Sequence, residues 1–155
     1  MTLAAPTEIG IACRSIDTLL DFYRSAFSFE LISRIAVPAA LSALTPLDDH
    51  GYTVVRLQSP FGERLKLLSP AMVPPGEDQP RPAQNILQAA NAVFITFIVD
   101  DLSAMRERAI QLGATAMGGA VQVRPELRIA FLQDPEGNYL ELAEYADVRR
   151  YRGDV

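Results

Sequence analysis

The sequence is poor in the side chains that most often do covalent or metal chemistry. Among 155 residues there is one cysteine, Cys13, and one histidine, His50. A single cysteine excludes an internal disulfide framework and fits a reducing, cytoplasmic setting. A basic surplus is missing too, since 14 Lys and Arg stand against 19 Asp and Glu, a net charge of −5. Without a basic stripe, no nucleic-acid surface is expected. Apolar runs are short. The longest, such as Ala92 to Val99, fall far below the roughly 20 residues of a spanning helix, so no membrane partner is expected. The opening Met1-Thr2-Leu3-Ala4-Ala5-Pro6 has neither a basic n-region nor a long apolar h-region, which predicts no signal peptide. What is present, 49% hydrophobic and 21% charged residues, describes an ordinary globular chain able to bury a real core.

The most informative stretch runs from Phe131 to Tyr145, FLQDPEGNYLELAEY. It reads strand, tight turn, strand. Asp134-Pro135-Glu136-Gly137-Asn138 supplies the turn, with Pro to fix φ and Gly and Asn to tolerate positive φ. After the turn, Tyr139, Glu141 and Ala143 share one face, and Leu140 and Leu142 share the other. A carboxylate in mid-strand, opposite the leucines, suits a face that lines a cavity or meets a partner.

This stretch resembles the closing hairpin of the glyoxalase, bleomycin-resistance and extradiol-dioxygenase superfamily (vicinal oxygen chelate), whose members carry a DP-x-GN-x-x-E-L pattern there. The resemblance implies an α+β fold of two paired βαβββ modules, with curled, concave mixed sheets and helices outside. Two modules imply an earlier echo of the hairpin. Ser59-Pro60-Phe61-Gly62-Glu63-Arg64-Leu65-Lys66-Leu67 supplies it at a constant offset of 75, with 135 against 60, 137 against 62 and 141 against 66. The module starts, Glu8 to Ile16 and Phe94 to Leu102, align at an offset of 86. The first module therefore carries about eleven extra residues (86 − 75), placed mostly in Val37 to Gly51.

The chain is thus predicted as one domain over 1–155, with module one at 7–69, a linker at 70–91 and module two at 92–145. In module one, Thr7 to Arg14 is a strand. Ser15 is an N-cap, and Ile16 to Phe27 is a helix whose Ile16, Leu19, Leu20, Tyr23 and Phe27 cover the sheet. Strands follow at Phe29 to Val37, Tyr52 to Gln58 and Glu63 to Leu68, with Pro38 to Asp49 a loop. Five prolines make Pro70 to Pro82 a stiff spacer. In module two, strands are predicted at Ala92 to Val99, Ala120 to Arg124, Leu127 to Gln133 and Asn138 to Glu144. A helix over Leu102 to Leu112 is capped by Asp100 or Asp101 and closed by Gly113. The helix-facing core is expected to include Ile9, Ile11, Leu65, Leu67, Ile95, Phe97, Leu140 and Leu142. Arg149 to Arg152 reads as a frayed basic end.

In the resembled family, four inward positions hold a divalent metal in many members: the start of each module's first strand and the middle of its last. Carried over, these are Glu8, Lys66, Phe94 and Glu141. Lys in its protonated form cannot ligate a cation and Phe has no donor atom, so no metal cofactor is expected. The alternative is a divalent metal at Glu8 and Glu141. If Glu8, Lys66 and Glu141 converge, the ammonium stands where the metal would. That set is either a buried ion cluster holding the modules together or a functional group with a carboxylate as general base or Lys66 as an anion or carbonyl anchor. Arg64, Phe94 and Tyr139 are candidate ligand-binding residues on the same faces. His50 reads as part of a solvated turn, and Cys13 as a small buried hydrophobe.

The expected function is a small-molecule-binding protein, of the drug-sequestering kind, or a metal-independent enzyme with its ligand in the concave cavity. The alternative is a metal-dependent lyase, isomerase or epimerase, or ring-cleaving dioxygenase using other ligands. A structural or interaction module is a third possibility. The resemblance and the open sheet edges predict a homodimer.

Overall fold

A computed structural model describes residues 5–72, 85–88 and 91–153. The chain divides into two compact units, residues 1–79 and 80–155.

The first unit has strands β1 (Glu8–Ala12), β2 (Glu30–Pro38), β3 (Gly51–Gln58) and β4 (Arg64–Pro70), with helices α1 (Ile16–Phe27) and α2 (Ala39–Ser42). The sheet order is β1-β4-β3-β2, with β1 parallel to β4 and the other pairs antiparallel. Helix α1 forms where the sequence places apolar residues three and four apart, and Ile16, Leu19, Leu20, Tyr23 and Phe27 are all buried, joined by Phe22 and Ala26. Phe22 meets Tyr23 edge-on at 5.2 Å, and Tyr23 meets Phe29 at 6.1 Å. Leu57, Leu65 and Leu67 complete this core; each such side chain contributes about 1.5–3 kcal/mol when removed from water. Ser15 occupies the N-cap position without a capping bond. Its hydroxyl pairs instead with that of Thr18, 2.6 Å away.

The second unit repeats the plan. Strands β5 (Phe94–Ile98), β6 (Thr115–Ala116), β7 (Val121–Arg124), β8 (Leu127–Gln133) and β9 (Tyr139–Tyr145) join helices α3 (Leu102–Gln111) and α4 (Val148–Tyr151). The order is β5-β9-β8-β6, and β7 also pairs with β8. This sheet has five strands where four were predicted. The strand equivalent to β2 is broken by Gly118, whose φ is +86°, so β6 and β7 pair with opposite ends of β8. The side chain of Asp101 caps α3 by accepting from the Ala104 amide at 2.9 Å. Glu144, from β9, accepts from the Leu102 amide at 2.6 Å. Two carboxylate oxygens thus satisfy amides that the helix itself leaves unpaired.

The predicted echo reappears in the ladders. Glu8 pairs with Arg64 in β1–β4, and Phe94 with Tyr139 in β5–β9. The extra length of the first unit lies between β2 and β3, where residues 39–50 intervene, against residues 125–126 between β7 and β8. Part of this predicted loop is helical, as α2. Gly51 ends it at a φ of +95°, and a Cβ there would stand 2.7 Å from the Val37 carbonyl oxygen, so a side chain is excluded.

Several expectations need correction. Ile9 is 39% exposed, and Ile95 and Phe97 are half-buried rather than core. All three lie on strands at a sheet edge, covered by a neighbouring strand on one side only. In the second unit α3 buries just Leu102 and Ala109. Strand β4 continues to Pro70, and the rest of the predicted linker falls mostly outside the described residues. The basic end is not frayed. Residues 148–151 form α4, Asp147 accepts from the Arg149 and Arg150 amides, and Tyr151 stacks on Tyr145 at 4.1 Å. No described helix is long and apolar enough to cross a membrane.

The two hairpin turns use one geometry with different anchors. Asp134 is 2% exposed. Its carboxylate accepts from the Glu136 and Asn138 amides, both at 2.9 Å, and from the Asn138 side chain at 2.8 Å. Gly137 follows at a φ of +90°. At the equivalent place Ser59 accepts from the Phe61 amide at 3.1 Å, and its hydroxyl donates to Glu63, at an exposed site. Burial makes the first anchor the costlier one to lose. Asp134→Ala should destabilise the protein in urea unfolding by about 1–3 kcal/mol, and Ser59→Ala by less than about 1 kcal/mol. Equal losses would show that the Asp134 bonds do not set the turn.

Candidate functional site

Each sheet has one face covered by a helix and one face opposite it. The site residues expected from the sequence lie on the opposite faces, because their neighbours on the same strands are the buried leucines.

In the first unit, Glu8 starts β1. Its carboxylate lies 3.5 Å from Arg64 Nη1, 3.6 Å from Arg56 Nε and 3.8 Å from Lys66 Nζ. The Lys66 ammonium thus comes within reach of Glu8. Arg64 is oriented a second time, since its Nε donates to Gln58 Oε1 at 2.9 Å. The cluster is not buried. The Glu8 side chain is 25% exposed, and the three cations between 32% and 40%. The buried-ion-cluster expectation is corrected to a half-open one. One carboxylate serves three cations, leaving two positive charges unmatched inside the group.

Arg56 was not singled out from the sequence. The signal was available: Val55 and Leu57 on β3 are fully buried, so Arg56 between them must face the other way. What the alternation does not give is its neighbour. The β3–β4 register sets Arg56 beside Lys66.

In the second unit, Glu141 sits in the middle of β9. The hydroxyl of Thr96, its register partner on β5, donates to Glu141 Oε2 at 2.6 Å. Thr96 was also missed, although it alternates with Phe94 and Ile98 on the face away from Ile95 and Phe97. Phe94 packs edge-on against Phe131, with centroids 5.8 Å apart and planes at 80°. Tyr139 is the register partner of Phe94. At the offsets of 75 and 86 residues, Phe94 stands where Glu8 does, Phe131 where Arg56 does, Tyr139 where Arg64 does and Glu141 where Lys66 does. One scaffold carries a charged group in the first unit and a largely aromatic one in the second. In neither unit do the described residues gather three or more His, Cys, Asp or Glu side chains.

The remaining candidates lie elsewhere. His50 is exposed in the 39–50 loop, where its backbone amide donates to Asp48 Oδ1 at 2.7 Å. Cys13 is buried beneath α1's side of the sheet.

The exposure of the charged cluster sets the scale of its contribution to stability. Partly solvated ion pairs are worth about 0–1 kcal/mol, and removing one of three cations also removes its repulsion with the other two. Lys66→Ala should therefore change the unfolding free energy by less than about 1 kcal/mol. A loss of several kcal/mol in denaturant titration would mean the group is closed to water.

The profile of the Glyoxalase/Bleomycin resistance protein/Dioxygenase superfamily matches residues 6–142. No curated protein matches the chain. A glyoxalase family protein from Bacillus cereus is similar in structure, with a TM-score of 0.80, 24% identity, and coverage of 94% of this chain and 96% of that one. The fosfomycin resistance protein FosX from Listeria monocytogenes, in a crystal structure with Mn(II) and sulfate, gives a TM-score of 0.60 at 13% identity, covering 97% and 100%. A glyoxalase I mutant from Zea mays gives 0.64 at 18% identity, covering 90% of this chain and 44% of that one. At these identities the structural matches establish the fold. The profile, spanning both units, establishes the family, and the chain belongs to the glyoxalase/bleomycin resistance protein/dioxygenase superfamily.

Proposed function

We propose that this protein recognises a small molecule on the sheet faces opposite its helices and does so without a divalent metal, as a binder or as a metal-independent enzyme. The observation that carries this reading is the Glu8 group. Its carboxylate, at a family metal position, is already shared among Arg56, Arg64 and Lys66. Two like unit charges about 4 Å apart repel by about 1 kcal/mol in water and about 4 kcal/mol near a protein surface. A divalent ion at Glu8 would double that against each of three cations. The donor set here does not fit such an ion, and Phe94 offers none.

The residues then divide by chemistry. On the first unit's face Arg64 and Lys66 present two cations to a polar or charged group. Phe94 and Tyr139 offer apolar and aromatic surface. Of the two candidate site carboxylates, Glu141 is held by the Thr96 hydroxyl while Glu8 is shared among three cations, which makes Glu141 the better suited to accept a proton if the protein is a catalyst. Glu8 is better suited to positioning its three cations than to proton transfer. The family profile runs across both units, which supports treating 1–155 as one functional domain.

Mn(II) bound to FosX supports the competing reading, a metal-dependent lyase, isomerase or dioxygenase. Calorimetric titration of the metal-stripped protein with Mn(II) decides between them. No stoichiometric binding is expected. One ion per chain, lost on Glu141→Ala or Glu8→Gln, would restore the metalloenzyme.

We also infer a cytoplasmic homodimer. Strand β2 lies at a sheet edge with Leu31, Ile32 and Ile35 exposed, and such an edge offers unpaired backbone groups and apolar surface to a second copy. Light scattering should return twice the chain mass of 17.0 kDa. A monomer mass across a wide concentration range would reject the dimer.

A further inference from the structure

We propose that the first sheet's face opposite α1 selects an anion, and that Arg56, Arg64 and Lys66 together take a doubly charged phosphate-type group of the ligand in preference to a singly charged carboxylate. The inference rests on the small-molecule reading above and specifies the class of group that this face admits.

Charge count comes first. Three cations surround a single carboxylate within 3.5–3.8 Å. A group serving stability alone gains by balancing its charges, because each unmatched cation repels the others. Here two positive charges are left over, the deficit that a dianion fills.

Donor capacity comes second. The contacts to Glu8 are longer than the roughly 2.7–2.9 Å of a charge-assisted hydrogen bond. Among the described residues neither Arg56 nor Lys66 spends a side-chain donor on a recorded hydrogen bond, and Arg64 spends its Nε on Gln58. Guanidinium forks present paired N–H groups to a planar or tetrahedral oxyanion, and Arg holds its charge at any working pH. Gln58 and Glu8 fix their direction before a ligand arrives, which lowers the ordering cost of binding.

Access comes third. The cations are about one-third exposed, open enough for a ligand yet sheltered enough to strengthen its charge interactions relative to bulk water. Gly10, in register with Lys66, adds no side chain to this face. Glu8 then acts as a resident counter-ion that an incoming anion partly displaces.

That role gives a test whose sign differs from a structural ion cluster. Phenyl phosphate, benzoate and benzamide are titrated into the whole protein by calorimetry at about pH 7.5 and low salt, so that charge varies on a common ring. Phenyl phosphate should bind at least about tenfold tighter than benzamide, a step of about 1.4 kcal/mol, with benzoate between them. Arg56→Met and Arg64→Met should each weaken phenyl phosphate by about tenfold, the loss of one charge-assisted contact. Arg56→Gln tests the same point if the methionine variant fails to fold. Glu8→Gln, which removes the competitor and keeps its shape, should tighten phenyl phosphate severalfold and leave benzamide unchanged. Benzamide binding as tightly as phenyl phosphate would overturn anion selection while leaving small-molecule recognition standing. Glu8→Gln weakening or not affecting phenyl phosphate would overturn it too, and mark the cluster as structural. So would the absence of binding by phenyl phosphate to both parent and Glu8→Gln. The Mn(II) titration separately decides the metal-free reading.

Discussion

In each unit the first strand pairs with the last in parallel and in a fixed register, Glu8 with Arg64 and Phe94 with Tyr139. Side chains alternate along a strand, so a slip of one residue would send Lys66 and Glu141 to the helix side and the leucines out. Burial holds the register. Leu65 and Leu67 lie under α1's side of the first sheet, and Leu140 and Leu142 are fully buried in the second. The hairpin turns before β4 and β9 hold it as well, through Gly62 and Gly137 at positive φ and through the Ser59 and Asp134 anchors. The faces that carry the candidate site residues are therefore a by-product of how the hydrophobic faces pack.

The two units show how little the scaffold dictates about chemistry. The Glu8–Arg56 ion pair in one becomes the Phe94–Phe131 edge-on contact in the other. Both bring a first strand's leading side chain toward the strand two places away in the sheet. Attraction between unlike charges does this in the first case; ring quadrupole and dispersion do it in the second. Lys66 sits beside a carboxylate, while Glu141 accepts from a threonine. Equivalent positions of the two units thus carry surplus positive charge in one and aromatic surface in the other.

Some features that look chemical serve the fold. Asp134 belongs to the hairpin motif and is nearly inaccessible, and its oxygens are occupied by the turn's own donors. Glu144 is spent on the first amide of α3 and on Arg128, 3.3 Å away. The only histidine lies in the exposed 39–50 loop, where a carboxylate two residues earlier orders the turn.

The sequence by itself determined the modular plan. The span of α1 follows from apolar spacing within twelve residues, and the turn at 134–138 from local preferences of Pro, Gly and Asn. The repeat offsets of 75 and 86 residues carried the strand equivalences from one half to the other. All of these are read over short distances or by self-comparison. The residues named for the site also fell on the expected faces, because alternation along a strand is local. Tertiary structure alone decided who meets whom. Arg56 joins Glu8 only because β3 lies beside β4 and β4 beside β1, and Thr96 reaches Glu141 only through the β5–β9 register. It also decided burial: Ile9 stays exposed at a sheet edge, and the charged cluster stays open to water. The contacts of Glu8 with Arg56 and of Thr96 with Glu141 join residues 45 or more apart in the chain, and no short window of the sequence contains them.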